Sequence, residues 1–555
     1  MLAFQLIYIK HPQKTMKKIV LLVGFLASSL WAHAQATYNT YEQLSSRLTG
    51  LAAKYPDKMK VSSIGKSAAG KDIWVVSLAE NTTSPKPAVL VLAGLNGEHL
   101  AGVELAVATI EKWMSSANAA ELLKTKTVYV IPAGSPDILD AVAAKVKGTR
   151  STNATSTDND RDGRIDEDPA EDLNNDGLIT LMRVEDPTGT FVPSTDNPKV
   201  MVLADPEKKQ VGKFIVLSEG LDNDKDGKWN EDGLGGVTID KNFTFDYPIF
   251  EDGAGSYTAS ESETRAILDF LYLHPSIFAT LTFGPANNLT SPIKFDKAKA
   301  SKRIITGWLE SDADVNAVVS KWYTKQVSDK NAPALPMTKG NFAQTAYYHA
   351  GRFSFSTPGW WVPADTAKKA AAAKTPLQPE VDFLRWADAE KLSNVFVDWK
   401  EIKHPDFPGK KVEVGGIAPY ALLNPPVSYL EKTAEQHQAF LTDLLSAMPT
   451  IQVTTPKVEV VSAGLTRVTV QVVNKGLLPT YASIGDKVRF VKKMKTTIEL
   501  GKNQTLVSGK KMTFGTALKA GETVEFSWLI AGSGSVKITS GCQTAGEQTV
   551  EVSIN

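Results

Sequence analysis

The stretch Ala93-Gly-Leu-Asn96-Gly-Glu98-His99-Leu-Ala-Gly102 decides the fold of this 555-residue chain. It follows an apolar run at residues 88–92 that predicts a buried strand, and it precedes residues 103–113, whose apolar spacing predicts an amphipathic helix. The loop therefore lies at the carboxyl end of a strand. Because ligands bind at that edge in open α/β sheets, the side chains of this loop are the first candidates for a functional site.

Five further segments carry a family resemblance through their order along the chain. They are a helix at residues 40–51, a hairpin motif at 64–74, a strand and turn at 128–137, Gly236-Val-Thr-Ile-Asp-Lys-Asn-Phe243, and the helix start Ser260-Glu-Ser-Glu-Thr-Arg265. With the loop, they resemble the M14 family of zinc carboxypeptidases over roughly three quarters of the chain. The resemblance implies an α/β fold, with a mixed sheet flanked by helices.

The pattern of the chain changes after Pro449. Residues 35–448 are predicted to form the M14 carboxypeptidase-like domain, with an acidic insertion near residues 150–235. Beyond Pro449, short alternating strands at 458–461, 466–473, 523–529, 535–539 and 548–553 predict a C-terminal immunoglobulin-like β-sandwich over residues 450–555. No chemistry is evident in that domain, and a fold alone assigns no function.

The positions that bind zinc in the family carry other side chains here. The family uses a His and a Glu on this loop and a His on a later strand, which leaves one position open for water. The resemblance places Asn96, His99 and Phe283 at these positions, and Pro358 or Gly359 at the position of the general base. A benzyl group offers no lone pair, and neither Pro nor Gly accepts a proton. Zinc is therefore doubtful, and we predict that hydrolysis has been lost.

The substrate-binding positions of the family are better preserved. Its Asn-Arg pair, which clamps a terminal carboxylate, matches Asp240-Lys241, and Asn242 follows. Lysine keeps the positive charge but lacks the bidentate fork of arginine. Arg150 is aligned with an oxyanion-binding Arg of the family. The resemblance thus implies substrate binding by Lys241, Asn242 and Arg150; a solvated Lys241, or one paired with Asp240, is the alternative.

Acidic loops in the insertion predict bound calcium. Side-chain oxygens alternate along each loop before a Gly at the tight turn, which is the pattern of loops that wrap Ca²⁺. Neither full copy has a Glu at the twelfth position, so these loops are not complete EF-hands. We expect calcium to brace the insertion. The predicted ligands are Asp158, Asp160, Asp162, Asp166 and Asp168 in the first loop, Asp172, Asn174 and Asp176 in the second, and Asp222, Asp224, Asp226, Asn230 and Asp232 in the third.

The amino-terminal segment indicates export. Met16-Lys-Lys18, an apolar run at 19–27 and small residues at 28–34 predict a signal peptide over residues 1–34, cleaved after Ala34, and hence a periplasmic or extracellular protein. No later run approaches the ~18 apolar residues of a membrane span. Cys542 is the only cysteine, so no intrachain disulfide forms. Lys plus Arg equals Asp plus Glu at 61 each, which argues against a nucleic-acid partner.

Three functions are compatible with these features. The leading interpretation is an exported, catalytically degenerate M14 metallocarboxypeptidase-like protein that binds the C-terminus of a peptide or of a peptidoglycan-derived peptide. An active zinc metallocarboxypeptidase with a rearranged site is the first alternative. A calcium-braced surface or adhesion module is the second. The oligomeric state is not predicted by the sequence.

Overall fold

The computed structural model describes residues 37–80, 85–158, 162–230, 232–233, 235–327, 332–333, 335–363 and 378–554. The predicted signal peptide at residues 1–34 and the predicted calcium ligand Asp160 lie outside these ranges. Within them, no helix is long and apolar enough to cross a membrane.

The elements are numbered in chain order. The helices are α1 Tyr41–Lys54, α2 Leu100–Met114, α3 Ala117–Thr125, α4 Asp140–Ala143, α5 Ser262–Leu273, α6 Lys297–Ala300, α7 Glu310–Gln326, α8 Phe342–Tyr348, α9 Pro379–Ala389 and α10 Leu430–Ala447. The strands before residue 450 are β1 Met59–Lys66, β2 Asp72–Leu78, β3 Ala88–Leu92, β4 Thr127–Ile131, β5 Leu181–Glu185, β6 Phe191–Pro193, β7 Met201–Leu203, β8 Phe214–Ser218, β9 Ile277–Phe283, β10 Phe353–Thr357, β11 Phe396–Ile402 and β12 Val412–Ile417. Those after it are β13 Ile451–Val453, β14 Lys457–Ser462, β15 Leu465–Asn474, β16 Met494–Leu500, β17 Thr505–Ser508, β18 Met512–Gly515, β19 Thr523–Ala531, β20 Gly534–Cys542 and β21 Gly546–Ile554.

The central sheet has the strand order β1-β2-β4-β3-β9-β10 among the described residues. Strands β4, β3, β9 and β10 are parallel, whereas β1 and β2 add an antiparallel edge. The predicted α/β fold with a mixed sheet flanked by helices is therefore confirmed. Since β3 and β9 are parallel neighbours in this sheet, the loop after β3 and the end of β9 lie at the same edge.

Helices cover both faces of this sheet because its strands are apolar on both sides. Along β3, Val89 and Val91 join the apolar cluster formed with α2, α7 and α10, whereas Leu90 and Leu92 join the cluster formed with α5 and α8. Successive side chains of a strand point to opposite faces, so one short run serves both clusters. Every residue of β3 is buried.

A second sheet, which the sequence did not predict, has the antiparallel order β11-β12-β5-β8-β6-β7. It joins strands of the insertion to strands that lie about 200 residues later in the chain, as in the pair Val184 and Val412. Its apolar cluster is small and contains Met182, Val184 and Phe407.

The C-terminal strands form two antiparallel sheets. The first runs β13-β15-β19-β17, with β14 also paired to β15, and the second runs β18-β16-β20-β21. The predicted strands correspond to β14, β15, β19, β20 and β21, whereas β13, β16, β17 and β18 were missed. The arrangement is consistent with a β-sandwich, and the immunoglobulin-like topology remains a prediction. Cys542 is buried as a free thiol at the end of β20.

Candidate functional site

The loop after β3 is held by a turn of its own and by a distant asparagine. Oδ1 of Asn96 accepts a hydrogen bond from the backbone N–H of Glu98 at 2.9 Å. The side chain of Asn424 donates to the carbonyl of Glu98 at 2.8 Å and accepts from the N–H of Ala101 at 2.7 Å. The amide oxygen of Asn96, its one suitable metal donor, therefore accepts one hydrogen bond within the turn.

His99 is a buried imidazole at the start of α2. Burial lowers its pKa to about 4, and the nearby backbone carbonyl of Pro358 raises the pKa by a smaller amount. Among the described residues, neither ring nitrogen has a partner with normal hydrogen-bond geometry. A Cβ atom added to Gly102 would lie 2.8 Å from Nδ1 of His99 and 3.1 Å from Cβ of Phe283. The ring therefore lies neutral in a tightly packed environment.

Phe283 occupies the end of β9, next to the position aligned with the general base. Its side chain is buried, and its ring centroid lies 5.1 Å from that of His437 in an edge-to-face arrangement. A Cβ atom added to Gly359 would lie 3.0 Å from Cδ1 of Phe283 and 2.5 Å from Cδ1 of Leu105. His99, Phe283 and Gly359, which family resemblance assigned to the site, are therefore close together in space. Apolar contacts, rather than polar donors, surround them.

A buried polar network lies behind Phe283, and no sequence pattern predicted it. Nδ1 of His437 lies 2.7 Å from the carbonyl of Thr433, and its Nε2 lies 3.1 Å from the hydroxyl of Tyr323. That hydroxyl lies 2.7 Å from Oγ1 of Thr357, which accepts from the N–H of Gly359 at 3.0 Å. Burial lowers the pKa of His437 to about 4 and raises the pKa of Tyr323. The network fixes Gly359 and presents no group to solvent.

A groove of about 890 Å³ lies outside this packed region. Glu98 and Arg150 line it from the first sheet's side, and Trp399 of β11 lines it from the second sheet. Arg150 donates its backbone N–H to the hydroxyl of Tyr420 at 2.9 Å. Its guanidinium donates to backbone carbonyls of its own segment, those of Thr152 at 3.1 Å and Asn153 at 2.6 Å. The groove is therefore bordered by both charged and aromatic side chains.

Lys241 lines a separate cavity of about 590 Å³. Its ammonium donates to the carbonyl of Asp252 at 2.9 Å. Asp240 does not pair with it, because its carboxylate is buried and accepts from the N–H of Phe342 at 3.0 Å. Burial raises the pKa of Asp240 to about 7. Lys241 and Arg150 thus line different cavities, which meet at Ser151 and Thr152.

Asn242 lies fully buried beneath the segment 254–261. Its NH₂ group donates to the carbonyl of Ala254 at 2.8 Å, to that of Tyr257 at 3.1 Å and to Oγ of Ser260 at 3.0 Å. Its oxygen accepts from the N–H of Glu261 at 3.2 Å. These bonds favour a structural role for Asn242, and substrate binding by it remains a prediction.

The three acidic loops share one turn geometry. In each, the first Asp accepts a hydrogen bond from the N–H of the Gly five residues later, and that Gly has a positive φ. The pairs are Asp158 with Gly163 at 3.1 Å and φ 96°, Asp172 with Gly177 at 2.8 Å and φ 86°, and Asp222 with Gly227 at 3.1 Å and φ 94°. A side chain at these Gly positions would be strained, which explains the recurring residue.

The first and third loops meet in space. Carboxylate oxygens of Asp162, Glu167 and Asp224 lie within 4.8 Å of one another, and those of Asp222, Asp224 and Asp226 form a second such group. Asp224 belongs to both groups. Glu167 was not among the predicted ligands, because it breaks the alternating pattern of its loop.

Other predicted ligands support the loops from within. Buried Asp168 accepts from the N–H groups of Asn223 and Asn230, and Asp166 accepts from the N–H of Gly235 at 3.2 Å. Asp232 is buried. In the second loop, the side chain of Asn174 donates to Asp176 at 3.1 Å. Glu219 stabilises that loop. Its carboxylate accepts hydrogen bonds from the N–H groups of Leu173, Asn174 and Thr180.

Comparisons with known proteins find similarity to zinc carboxypeptidases in part of this chain. The zinc carboxypeptidase family model matches residues 44–174, and a model described as a domain of unknown function (DUF8731) matches residues 450–553. Carboxypeptidase D of Rattus norvegicus is 28% identical over 150 residues, which are 25% of this chain and 11% of that protein. A zinc carboxypeptidase of Saccharothrix mutabilis subsp. capreolus is 23% identical over 106 residues, 18% of this chain and 24% of that protein.

Two solved structures align with large parts of this chain, both with TM-scores below 0.5. Thrombin activatable fibrinolysis inhibitor gives a TM-score of 0.41 at 12% identity, over 75% of this chain and 78% of that one. Carboxypeptidase A from Helicoverpa armigera gives a TM-score of 0.37 at 13% identity, over 61% of this chain and 71% of that one. Over the residues that they match, the family model and the sequence relatives support an M14 carboxypeptidase-like protein. The chain spans only about a tenth of the length of the carboxypeptidase D sequence that it matches.

Proposed function

We propose that this M14 carboxypeptidase-like protein does not hydrolyse peptides and instead binds the C-terminal end of a peptide or of a peptidoglycan-derived peptide. The observation that carries the proposal is the packing of His99, Phe283 and Gly359 at the positions where the family has two zinc ligands and its general base. Side chains fill the space in which a metal ion and its water would have to lie.

The available donors do not fit a catalytic zinc ion. Such an ion requires three protein ligands and an open position, whereas this site offers one imidazole in an apolar environment. The oxygen of Asn96 is engaged by Glu98, and Phe283 has no lone pair. General bases typically contribute ~10²- to 10⁴-fold to a rate, and none is present at Pro358 or Gly359. We therefore derive no hydrolytic step for this chain.

Two features support peptide binding. The groove of about 890 Å³ is within the size range of ligand sites and combines the aromatic rings of Trp399 and Tyr420 with the charges of Glu98 and Arg150. In the adjoining cavity, Lys241 provides an ammonium group for a terminal carboxylate. The ammonium group has three N–H donors and uses one of them for a bond to the carbonyl of Asp252, the bond that it makes among the described residues, so donors remain for an anion.

Activity and metal content test the loss of hydrolysis. The full chain, with added zinc, should release no C-terminal amino acid from a peptide panel, and it should contain no stoichiometric zinc after dialysis. A variant with Asn96→His, His99→Glu and Phe283→His restores the family's donors and should take up zinc. Chelator-sensitive release of amino acids by the unmodified chain would overturn the proposal.

Binding is tested separately with muropeptides that carry a free or an amidated terminal carboxyl group. The free acid should bind, Lys241→Ala should weaken its binding about tenfold, and amidation should have a similar effect. Lys432→Ala, on an exposed position of α10, is the matched control and should bind normally. Equal binding by all three proteins would contradict a role for Lys241.

A rearranged, active metal site is the second candidate. It is favoured by one observation, the two ring nitrogens of His99 that lack hydrogen-bond partners of normal geometry. About one tightly bound zinc ion per unmodified chain, lost in His99→Ala, would support this candidate.

We further propose that the acidic loops bind calcium and brace the insertion. The two sets of carboxylates that share Asp224 support this, because a cation between them would relieve the repulsion among negative charges held so close together. Export, proposed from residues 1–34, would bring the protein to calcium concentrations that fill even weak sites. An adhesion role for such a calcium-braced surface would require that a macromolecular ligand still binds when substitutions have disrupted the groove.

A further inference from the structure

The C-terminal domain contributes to the apolar core of the carboxypeptidase-like domain. Leu478, Ala482 and Ile484, which lie between β15 and β16, are buried in the same cluster as residues of α7, α10, β9 and β10. The core of the sandwich itself is a different cluster, which contains Tyr481 and Val491. The segment 478–491 therefore packs into both cores, and a separated sandwich would expose apolar surface on each side.

Asp312 ties α7 to this segment. It is buried in the first turn of the helix, and its Oδ1 accepts from the backbone N–H of Ser483 at 2.7 Å. Its Oδ2 accepts from the N–H of Ile484 at 3.0 Å and from the hydroxyl of Tyr347 at 2.8 Å. A residue of one domain thus satisfies the first N–H groups of a short 3₁₀ helix, Ser483–Lys487, of the other.

Arg352 ties the start of β10 to the same segment. Its guanidinium is buried and donates to the carbonyl of Phe490 at 3.0 Å. The preceding residue, Gly351, has φ 71°, and a Cβ atom there would lie 2.6 Å from Val488 and 2.7 Å from Val491. The methyl groups of Val488 and Val491 therefore pack directly against the backbone of Gly351, and a side chain at this position would clash with them.

These attachments lie at one end of elements whose other parts form the candidate site. Strand β10 begins directly after Arg352 and ends at Thr357, two residues before Gly359. Helix α7 carries Asp312 in its first turn and Tyr323 near its other end, and the hydroxyl of Tyr323 bonds Thr357. Helix α10 carries His437 and ends two residues before Pro449, whose carbonyl accepts from the buried ammonium of Lys126 at 3.0 Å.

We infer that the C-terminal domain is an internal scaffold for the candidate site, in which Asp312 and Arg352 act as positioning residues that fix Thr357 and Gly359 through α7 and β10. The domain is then an obligate part of the fold rather than a separable binding module. This role does not depend on whether the groove binds a peptide, because it concerns only the placement of Thr357 and Gly359 in the packed region outside which the groove lies.

Hydrogen exchange in the full chain tests the scaffold. Asp312→Ala should accelerate exchange of the amides of β10 and of Gly359 at least tenfold, and the amides of β16 and β20 by a comparable factor. Asp312→Asn keeps one acceptor and should give an intermediate effect. Asp314→Ala, at an exposed position of the same helix, is the control and should stay within about twofold of the unmodified chain.

The result that would overturn the inference is local loosening, in which residues 483–487 exchange faster while β10 keeps its normal protection. If Asp312→Ala does not fold, the unmodified chain and Arg352→Lys remain decisive. In denaturant, the amides of β10 and β20 of the unmodified chain should open in one step, and Arg352→Lys should shift both together. Two separate openings would show independent domains and contradict the scaffold.

Discussion

Asp168 in the first acidic loop accepts a hydrogen bond from the backbone N–H of Asn230 in the third loop, with 2.6 Å between Oδ2 and the nitrogen. Its other oxygen accepts from the N–H of Asn223 at 2.9 Å. Two loops that lie more than 60 residues apart in the chain are therefore joined by one buried carboxylate. This junction brings Asp162 and Glu167 next to Asp224. The loops consequently form one acidic unit.

Calcium should stabilise this unit. A ligand that binds only the folded state adds RT ln(1 + [L]/Kd), about 2.7 kcal/mol at a hundredfold excess over Kd. We expect the melting temperature to rise with calcium and to fall with a chelator. Asp224→Ala should remove most of the shift, because Asp224 belongs to both carboxylate groups. Asp196→Ala, at an exposed acidic position away from these loops, should keep it. An equal shift in both variants would refute the assignment.

The stability of the chain should decrease between about pH 4 and pH 7 because of Asp240. Burial raises the pKa of Asp240 to about 7 in the folded state, whereas an unfolded Asp has a pKa of about 3.9. Above the unfolded value, the unfolded chain releases its proton while the folded chain retains it, so each rise in pH favours unfolding until Asp240 itself ionises. About three pKa units correspond to a loss of at most ~4 kcal/mol.

Asp240→Asn should abolish this decrease and stabilise the chain at pH 8. The amide oxygen of Asn can still accept from the N–H of Phe342, and no charge is buried. Denaturant unfolding at pH 4.5, 6 and 8 measures the effect. Asp252→Asn removes an exposed carboxyl group nearby and should leave the pH profile unchanged. A profile for Asp240→Asn that is parallel to that of the unmodified chain would show that Asp240 ionises normally.

The packed site should not tolerate a larger residue at position 359. Gly359 has φ 75°, and a Cβ atom would lie 2.5 Å from Leu105 and 3.0 Å from Phe283. Overpacking and the unfavourable backbone conformation together should make Gly359→Ala cost on the order of 2–4 kcal/mol of unfolding free energy. Gly284→Ala is the control, since its nearest neighbour would be 3.7 Å away. Unfolding curves that show equal costs would mean that Gly359 is not tightly packed.

Local sequence patterns predicted the strands, helices and turns that short-range interactions determine. The strand and helix around Asn96 and His99, and the turn glycines such as Gly163, follow from apolar periodicity and from positive φ. The position of Phe283 beside His99 followed from family resemblance. Nothing in the sequence indicated that His437 would lie behind Phe283, because their contact depends on how a distant helix packs against the sheet.

The same limit explains the missed second sheet and the missed domain junction. Strands β5 and β12 are short, and their pairing joins residues such as Val184 and Val412 across most of the carboxypeptidase-like domain. Asp312 lies in an amphipathic helix, where an acidic residue in the first turn is expected on dipole grounds alone. Its bonds to Ser483 and Ile484 are set by tertiary structure.

Asn242 and Lys241 are neighbours in the chain, but substitution should separate their roles. Asn242→Ala removes a buried amide that bonds Ala254, Ser260 and Glu261, and it leaves their polar groups unsatisfied. We expect a loss of about 2–4 kcal/mol in the free energy of unfolding. Lys241→Ala removes one exposed bond to a carbonyl, so stability should change by less than about 0.5 kcal/mol.

Denaturant unfolding and muropeptide binding, measured on both variants, distinguish a structural residue from a ligand-binding one. Asn242→Ala should be unstable yet bind the free-acid muropeptide normally at temperatures where it remains folded. Lys241→Ala should be stable and bind weakly. If Asn242→Ala instead keeps its stability and loses binding, the amide contacts the ligand directly, and the segment 254–261 must move to release it, since each of its polar atoms is now bonded within the chain.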